Sequence, residues 1–374
     1  MDQAVQGKIP GNPRILVAPL DWGLGHATRC IPLIRELEEQ GAEVIIAGEG
    51  PQNVLLKNEL PGIEMLELQG YRVRYGKTGF DLLRNLLYQT PGILRAIREE
   101  NTWLRNIIPG KKIDGVISDN RYGLYTDLVP CIFMTHQLAI KTPWGSWTDQ
   151  LIQRKNYSYI EKFSACWVPD APGPNGLAGE LSHPKKRPRV PLTYIGPLSR
   201  FKYEGGKKIQ GQVLILISGP EPQRTAFEEM IMNELEHTAI PSVIVRGLPG
   251  ETKSPESNPA LTIYNHIPAS SMAAEIQNAD LVIARSGYST IMDLARMKKK
   301  ALLIPTPGQT EQLYLANYLM EKKQAWSVSQ SNFSLAKNVN DARKQGYTLE
   351  EPVMAGELKS AVRGFLELVK RKYN

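Results

Sequence analysis

The chain has 374 residues, with 45 lysines and arginines against 38 acidic residues and a formal net charge of +7. Its 42% hydrophobic and 22% charged residues are typical of a globular protein, which excludes disorder, collagen-like repeats and coiled coil. No apolar run approaches the roughly 18 residues of a membrane span, and the polar residues 1–13 lack a signal-peptide core. The three cysteines, Cys30, Cys131 and Cys166, are too few and too scattered for a disulfide framework or a zinc site, so we expect a cytoplasmic protein of about two domains.

The basic charge is concentrated in one stretch. Residues 72–112 contain nine basic and three acidic residues, a net charge of +6 that nearly equals that of the whole chain. Such a patch attracts anionic lipid, nucleic acid or phosphorylated substrates. We expect no nucleic-acid partner, because the basic residues are not interleaved with exposed aromatic residues in a known binding module.

The N-terminal half begins with the pattern of a parallel sheet. Residues 14–18 and 43–47 read as buried strands, and residues 27–40 between them have helical periodicity and end at Gly41. A strand, a helix and a strand within about 35 residues form a βαβ unit. Further strands are predicted at residues 63–68, 113–118, 131–135, 165–168 and 193–195.

The pattern restarts after a polar segment. Residues 198–210 read as a linker, and strands are predicted at residues 213–217, 242–245, 261–264, 279–284 and 301–304. Helices are predicted at residues 223–236, 270–277, 290–296, 311–322 and 356–372. The sequence therefore predicts two Rossmann-like, doubly wound α/β domains that face a central cleft. The predicted divisions are a tail (1–13), a first domain (14–197), the linker, a second domain (211–355) and a C-terminal helix (356–374) that crosses back to the first domain.

A glycine-containing turn follows the first strand. Gly23 and Gly25 allow a ligand close to the backbone, and the next helix offers free N–H groups to an anion. His26 stands at the carboxyl end of this strand, where ligands of parallel sheets bind. The plainer interpretation is a glycine turn with a polar cap. The full G-x-G-x-x-G spacing is missing, so a dehydrogenase is not expected.

Two loops of the second half have the same character. Residues 285–293, R-S-G-Y-S-T-I-M-D, place small residues before a helix whose start can hold a phosphate. Ser289 and Thr290 are expected to cap this helix, and Asp293 can accept hydrogen bonds from ribose. In residues 306–313, T-P-G-Q-T-E-Q-L, Glu311 and Gln312 can bind sugar hydroxyls. The plainer interpretation of both loops is ordinary capping of helix N-termini.

These motifs resemble those of the GT-B glycosyltransferases of family 28, the MurG-like enzymes. In that family the R-S-G-x-x-T helix start binds the donor phosphates, and the acidic residue after it binds ribose. The resemblance implies donor contacts from Arg200, Ser218, Gly219, His266, Ile267, Arg285, Ser286, Gly287, Ser289, Thr290, Asp293, Glu311 and Gln312. It implies acceptor contacts from Gly23, Gly25, His26 and Gln137. The first glycine loop departs from the family pattern at Trp22 and Leu24, and the loop at 218–222 carries two prolines that remove N–H donors.

The resemblance implies an inverting transfer from a nucleotide sugar, with UDP as the expected nucleotide. No D-x-D motif is present, so we expect neither a metal nor another cofactor. The helix start at Ser289 and Thr290, together with Arg200, would neutralise the leaving diphosphate. The acceptor hydroxyl needs a general base, for which His26 is the first candidate; Asp119 and His136 are the others. A nucleotide-sugar 2-epimerase of the same architecture and a non-catalytic nucleotide-sugar binder stay open as alternatives.

The basic stretch also suggests a membrane. Apolar residues between 79 and 108 recur at helical spacing beside arginines, and Pro91 and Gly92 are expected to divide them into two helices. Apolar faces beside arginines suit an anionic bilayer surface, although helices that simply cover the sheet explain the pattern equally well. Combined with the lipid-linked acceptor of the family, this predicts peripheral attachment to the inner face of the plasma membrane through residues 72–112.

Overall fold

The computed structural model describes residues 12–71, 79–205, 208–354 and 356–371, and for residues 79–90 it describes the backbone only. The N-terminal part holds a sheet of seven parallel strands in the order β3-β2-β1-β4-β5-β6-β7. Its strands are β1 (Arg14–Pro19), β2 (Glu43–Gly48), β3 (Glu64–Glu67), β4 (Gly115–Asp119), β5 (Cys131–Met134), β6 (Ala165–Val168) and β7 (Leu192–Tyr194). Its helices are α1 (Leu24–Glu39), α2 (Pro51–Glu59), α3 (Gly79–Lys111) and α4 (Ser146–Ile160).

The C-terminal part repeats this plan with six parallel strands in the order β10-β9-β8-β11-β12-β13. Its strands are β8 (Val213–Leu216), β9 (Ser242–Val245), β10 (Leu261–Tyr264), β11 (Leu281–Ala284), β12 (Ala301–Leu303) and β13 (Trp326–Ser327). Its helices are α5 (Gln223–Glu236), α6 (Ala269–Asn278), α7 (Tyr288–Arg296), α8 (Thr310–Glu321), α9 (Leu335–Gln345) and α10 (Glu357–Arg371). Both sheets have the doubly wound order in which the first strand lies centrally, which confirms the predicted fold class.

The central strands are buried because they are covered on both faces by helices. All positions of β4 and β5 are buried, as are those of β9 and β11, and their sequences are nearly continuous apolar runs. One apolar cluster contains core residues of both sheets, so the two halves are packed against each other. The packing brings the carboxyl ends of the two sheets to a common cleft.

The prediction of two helices around Pro91 is wrong. One helix, α3, runs from Gly79 to Lys111 with Pro91 inside it. Its C-terminal half buries Ile97, Leu104 and Ile108 against the sheet of the first domain. An internal proline costs a helix about 3 kcal/mol, and tertiary packing of an apolar face offsets such a cost. These apolar residues therefore cover the sheet and do not face a membrane; residues 72–78 and the side chains of 79–90 lie outside the described part.

The last helix belongs in space to the first domain. Helix α10 buries Val362, Phe365, Leu366 and Val369. The Phe365 ring meets the Trp167 ring of β6 edge-on, with centroids 5.8 Å apart. A Cβ placed on Gly115 of β4 would lie 2.7 Å from Phe365 Cζ, so only glycine lets the helix approach this strand. The final helix thus ties the second domain to the first.

Phe365→Ala should lower the free energy of unfolding by about 3–5 kcal/mol, because it leaves a cavity between α10 and the sheet. Leu368→Ala on the same helix is the matched control, since the Leu368 side chain is 44% exposed. Urea unfolding followed by tryptophan fluorescence measures both. Equal losses in the two variants would contradict the packing described for α10.

Candidate functional site

The cleft is organised around Asp119, the last residue of β4. Its carboxylate is fully buried, and its Oδ2 atom lies 2.9 Å from His26 Nδ1. His26 stands in the first turn of α1. Strands β1 and β4 pair with Pro19 opposite Asp119, so the helix that follows β1 begins beside this carboxylate. The two predicted catalytic residues are therefore in direct contact. Gly23 makes this turn possible with a φ of 81°.

Arg29 is the central residue that the sequence did not suggest. Its Nε donates to Asp119 Oδ2 at 2.8 Å, its Nη2 donates to Asp119 Oδ1, and the side chain is 2% exposed. Burial raises the pKa of Asp119, but the charges of Arg29 and then His26 outweigh it and hold the pKa at about 2. Asp119 is therefore an ionised, orienting group. The available signal was spacing: Arg29 follows His26 by three residues and shares its helix face.

His136 connects the first domain to the second. It follows β5, its Nε2 lies 2.7 Å from Glu311 Oε1 at the start of α8, and its ring stacks on Tyr288 with centroids 4.2 Å apart. Burial opposes ionisation of Glu311, but His136 and Arg29 lower the pKa of this carboxyl. The structure thus brings His26, Asp119, His136 and Glu311 into one cluster that spans the cleft.

The N-termini of α1 and α7 face each other in the cleft. Ser289 was expected to cap α7, but the cap residue is Gly287 and no side chain caps this end. Ser289 Oγ instead donates to Gly25 O across the cleft at 2.9 Å. A Cβ on Gly25 would lie 3.0 Å from this hydroxyl, so the close approach requires glycine or a shift of Ser289. Thr290 follows in the same first turn, where two helix ends can stabilise negative charge.

Asp293 lies one turn further along α7, beside the segment that joins the domains. It accepts a hydrogen bond of 2.6 Å from Ser199 Oγ. Burial raises the pKa of Asp293 to about 6, against the opposing effects of Arg200 and Ser199. Arg200 Nη1 donates to Glu59 of α2 at 3.3 Å, and Arg200 Nε is buried without a hydrogen-bond partner.

A cavity of about 620 Å³ opens beside Arg200. His266 lines it, next to the N-terminus of α6, and burial lowers the pKa of this histidine with a further contribution from Arg200. Ile267 is buried at its side. Glu59 also lines the cavity and accepts from both Arg200 and Ala269 N at the start of α6, so an anionic ligand would compete with this carboxylate for the two donors.

Three predicted donor-binding side chains point into the second domain. Arg285 donates to the carbonyls of Ile304 and Gln223 at 3.2 and 3.3 Å and covers the Phe227 ring. Burial lowers the pKa of Arg285 to about 10. Ser286 Oγ donates to Gln312 O, and the Gln312 side chain accepts from Thr306 N at 2.9 Å. These residues join the loop after β11 to the loop after β12 and support the wall of the cleft from inside the second domain.

The remaining predicted residues lie in loops at the carboxyl ends of the strands, where their backbone groups are the observed feature. Gln137 follows His136, its N–H donates to Thr135 Oγ1, and its carbonyl accepts from Asn156. Ser218 and Gly219 lie in the loop after β8, where Gly219 has a φ of 111°. Over the described ranges, no group of three or more His, Cys, Asp or Glu residues has the arrangement of a metal site. No helix of the part that the structure describes is long and apolar enough to cross a bilayer.

Comparison with known proteins agrees with this geometry. Residues 249–367 match the model of the glycosyltransferase family 28 C-terminal domain. An uncharacterized glycosyltransferase of Methanosarcina acetivorans is 25% identical over 324 residues, which cover 80% of this chain and 81% of the relative. A transferase of Rickettsia rickettsii is 40% identical over 68 residues, 18% of each chain; its name gives UDP-N-acetylglucosamine as donor and a pyrophosphoryl-undecaprenol acceptor.

Solved structures show the same fold at low sequence identity. The kitacinnamycin glycosyltransferase superposes with a TM-score of 0.61 at 15% identity and covers 97% of this chain and 96% of its own. MurG of Acinetobacter baumannii gives 0.55 at 14% identity, with 96% and 100% covered. The spinosyn rhamnosyltransferase SpnG, solved with thymidine diphosphate, gives 0.60 at 14% identity, with 96% of each chain covered. These names do not favour the epimerase alternative.

The raised pKa of Asp293 makes the stability of the protein depend on pH. In the unfolded chain this carboxyl ionises near its ordinary 3.8, and in the folded chain near 6, so the folded state binds more protons between these values. The contribution of Asp293 to stability should therefore fall as the pH rises from about 4 to about 6. Thermal unfolding of the wild type and Asp293→Asn measures this contribution. The melting temperature of the variant should rise relative to that of the wild type as the pH increases across this window. A constant difference between the two melting temperatures across this window would contradict the raised pKa of Asp293.

Proposed function

We propose that this glycosyltransferase, whose residues 249–367 match the family 28 C-terminal domain, transfers a hexosyl or hexosaminyl group from a nucleotide sugar to a lipid-linked hydroxyl acceptor, with inversion and without a metal. The observation that carries the proposal is the His26–Asp119 pair, which faces Glu311 and the start of α7 across one cleft. A base, an orienting carboxylate and an anion-stabilising helix end are the groups that such a displacement needs.

The proposed step is a single displacement at the anomeric carbon. His26 Nε2 takes the proton of the acceptor hydroxyl as its oxygen forms a bond to C1. The bond from C1 to the phosphate oxygen breaks, and the nucleoside diphosphate leaves with the electron pair. Burial, followed by the charge of Arg29, lowers the pKa of His26, so the ring is neutral at neutral pH and its Nε2 can accept a proton. The charge that develops on the diphosphate is stabilised by the N–H groups of α7.

The donor occupies the side of the cleft formed by the second domain in this proposal. Asp293 accepts hydrogen bonds from the ribose, and the cavity beside Arg200 and His266 receives the nucleoside. Glu311 binds sugar hydroxyls. UDP is the favoured nucleotide, since UDP-N-acetylglucosamine is named for the relative from Rickettsia. Donor binding must separate Ser289 from Gly25, because this contact closes the path between the two helix ends.

The acceptor is proposed to be lipid-linked and to be reached at the inner face of the plasma membrane. The pyrophosphoryl-undecaprenol acceptor of the same relative supports this class. The described surface adds an apolar face on α4 and the turn before it: Trp144 is 50% exposed, Trp147 75% and Leu151 55%. Arg154 and Lys155 follow on the exposed side of this helix. Exposed indoles beside basic residues suit the interface of an anionic bilayer.

Donor binding and turnover test the reaction together. UDP and UDP-sugars should stabilise the wild type in a thermal-shift panel, whereas dinucleotides should not. His26→Ala should keep the donor affinity. It should lower the rate of transfer, or the rate of donor hydrolysis where no acceptor is supplied, by about 10²-fold or more because the base is lost. His237→Ala is the matched control, since His237 is exposed at the end of α5. Normal turnover without His26 would remove it from the role of base; a free epimer released without acceptor would indicate the epimerase.

Vesicle co-sedimentation tests the membrane partner. The double variant Trp144→Ser and Trp147→Ser should bind vesicles containing phosphatidylserine about tenfold or more weakly, because each indole contributes roughly 1 kcal/mol or more when buried. Val353→Ser controls for exposed apolar surface elsewhere, as Val353 is fully exposed in the second domain. Wild-type binding should weaken as salt rises. An absence of binding to anionic and neutral vesicles at low salt would favour a soluble acceptor.

A further inference from the structure

A carboxylate of the first domain binds two hydrogen-bond donors across the cleft. Glu59, the last residue of α2, accepts on its Oε1 atom from Arg200 Nη1 at 3.3 Å and from Ala269 N at 3.1 Å. We propose that Glu59 is an internal stand-in for a phosphate group, and that the diphosphate of the donor must displace it in order to bind. The proposal rests on the proposed function only where it names the nucleotide-sugar donor as the source of the diphosphate.

The two donors that hold Glu59 are those of an anion site. Ala269 N is the first N–H group of α6, a helix of 10 residues, and it has no acceptor within its own helix. Pro268, the cap residue, offers no side-chain acceptor, so the carboxylate of the other domain caps this end. Such a helix start is partially positive and binds carboxylate or phosphate. Arg200 adds a full positive charge, with its side chain only 6% exposed.

Glu59 uses only part of what Arg200 offers. Its contact to Nη1 is long for a charge-assisted hydrogen bond, which is ordinarily about 2.7–2.9 Å. Arg200 Nε is buried and has no hydrogen-bond partner among the described residues. The guanidinium lies over the Phe201 ring, 5.0 Å from its centroid, which fixes its place beside the cavity. A phosphate can accept from Nε and an Nη together, so it gains more from Arg200 than this carboxylate does.

The same contact joins the two domains. Arg35 and Glu59 line the cavity from the first domain, and His266 and Ser270 line it from the second. Arg35 Nη2 lies 3.9 Å from Glu59 Oε2, so the carboxylate stands between two guanidinium groups. A diphosphate on Arg200 would lie against this negative charge and be repelled by it. Glu59 must therefore leave, which breaks the link between α2 and α6.

Displacement of an internal group sets the sign of the test. When only a fraction of the molecules has an open site, the measured affinity falls by that fraction. Glu59→Ala should therefore lower the Kd of inorganic diphosphate and of UDP, by about fivefold or more. Uridine carries no phosphate, so its Kd should change little. A residue that contacts the ligand directly predicts the opposite sign, because its removal weakens binding.

Isothermal titration calorimetry of the full-length protein measures these affinities. Glu59→Gln keeps the size of the side chain without its charge and should give part of the gain; it takes the place of Glu59→Ala if that variant does not fold. Glu39→Ala is the matched control, because it removes the same charge from an exposed position at the end of α1. Arg200→Gln should weaken diphosphate binding. Adding Glu59→Ala to it should recover little, since Glu59 acts mainly through Arg200.

The sign of the change in diphosphate affinity decides the proposal. Unchanged or weaker binding in the folded Glu59 variants would overturn it, as would an equal gain for uridine or no diphosphate binding at all. The expected gain, found in a protein that neither transfers nor hydrolyses any UDP-sugar, would support the role of Glu59 and contradict the proposed function. Sugar transfer without that gain would do the reverse.

Discussion

The cleft depends on one buried negative charge. Asp119 ends β4 with no exposure to solvent, and an ionised carboxylate in such a place requires compensation that it cannot obtain from water. Arg29 and His26 provide it, and both come from the first turns of α1. The position of this helix relative to β4 is therefore set by electrostatics as well as by apolar packing. A substitution that removes Arg29 alone leaves a carboxylate without its main partner.

The same charge also determines how the domains meet. Arg29 Nη1 donates to His136 Nδ1, and His136 Nε2 donates to Glu311 of the second domain. Closure of the cleft thus extends a chain of polar contacts that begins at Asp119. The Tyr288 ring covers His136, and its hydroxyl donates to Pro169 O at 2.8 Å, which adds a contact between the halves. The proposed acid–base groups and the contacts between the two domains are consequently parts of one network.

The sequence predicted the sheets well because their strands are buried on both faces. Continuous apolar runs such as 165–168 and 242–245 became strands with the same bounds. Helices α4 and α9 were missed because their sequences are polar and lack side-chain caps. Weak local signals of this kind are decided by tertiary packing. The break expected at Pro91 failed for the same reason.

The sequence predicted several residues of the candidate site but not the contacts between them. His26, Asp119 and His136 were all recognised, since each follows a strand at the ligand-binding edge of the sheet. Their partners depend on which direction a side chain takes after the turn, and the sequence does not contain that information. Arg29 was not singled out because the predicted helix began at residue 27 and left His26 in the turn before it. Helix α1 begins at Leu24, so both residues lie on it, with Arg29 one helical turn after His26.

Two carboxyl groups at the cleft illustrate how neighbours assign roles. Asp119 and Asp293 are the same residue type, the first fully buried and the second partly buried, yet the pKa is about 2 for the first and about 6 for the second. The difference is a guanidinium in direct contact: Arg29 holds Asp119, whereas Arg200 bonds to Glu59 and leaves Asp293 with the Ser199 hydroxyl. Asp119 is thereby fixed as an anion that orients His26. Asp293 keeps a carboxyl whose charge responds to its surroundings, as the proposed exchange of the Ser199 hydroxyl for ribose hydroxyls requires.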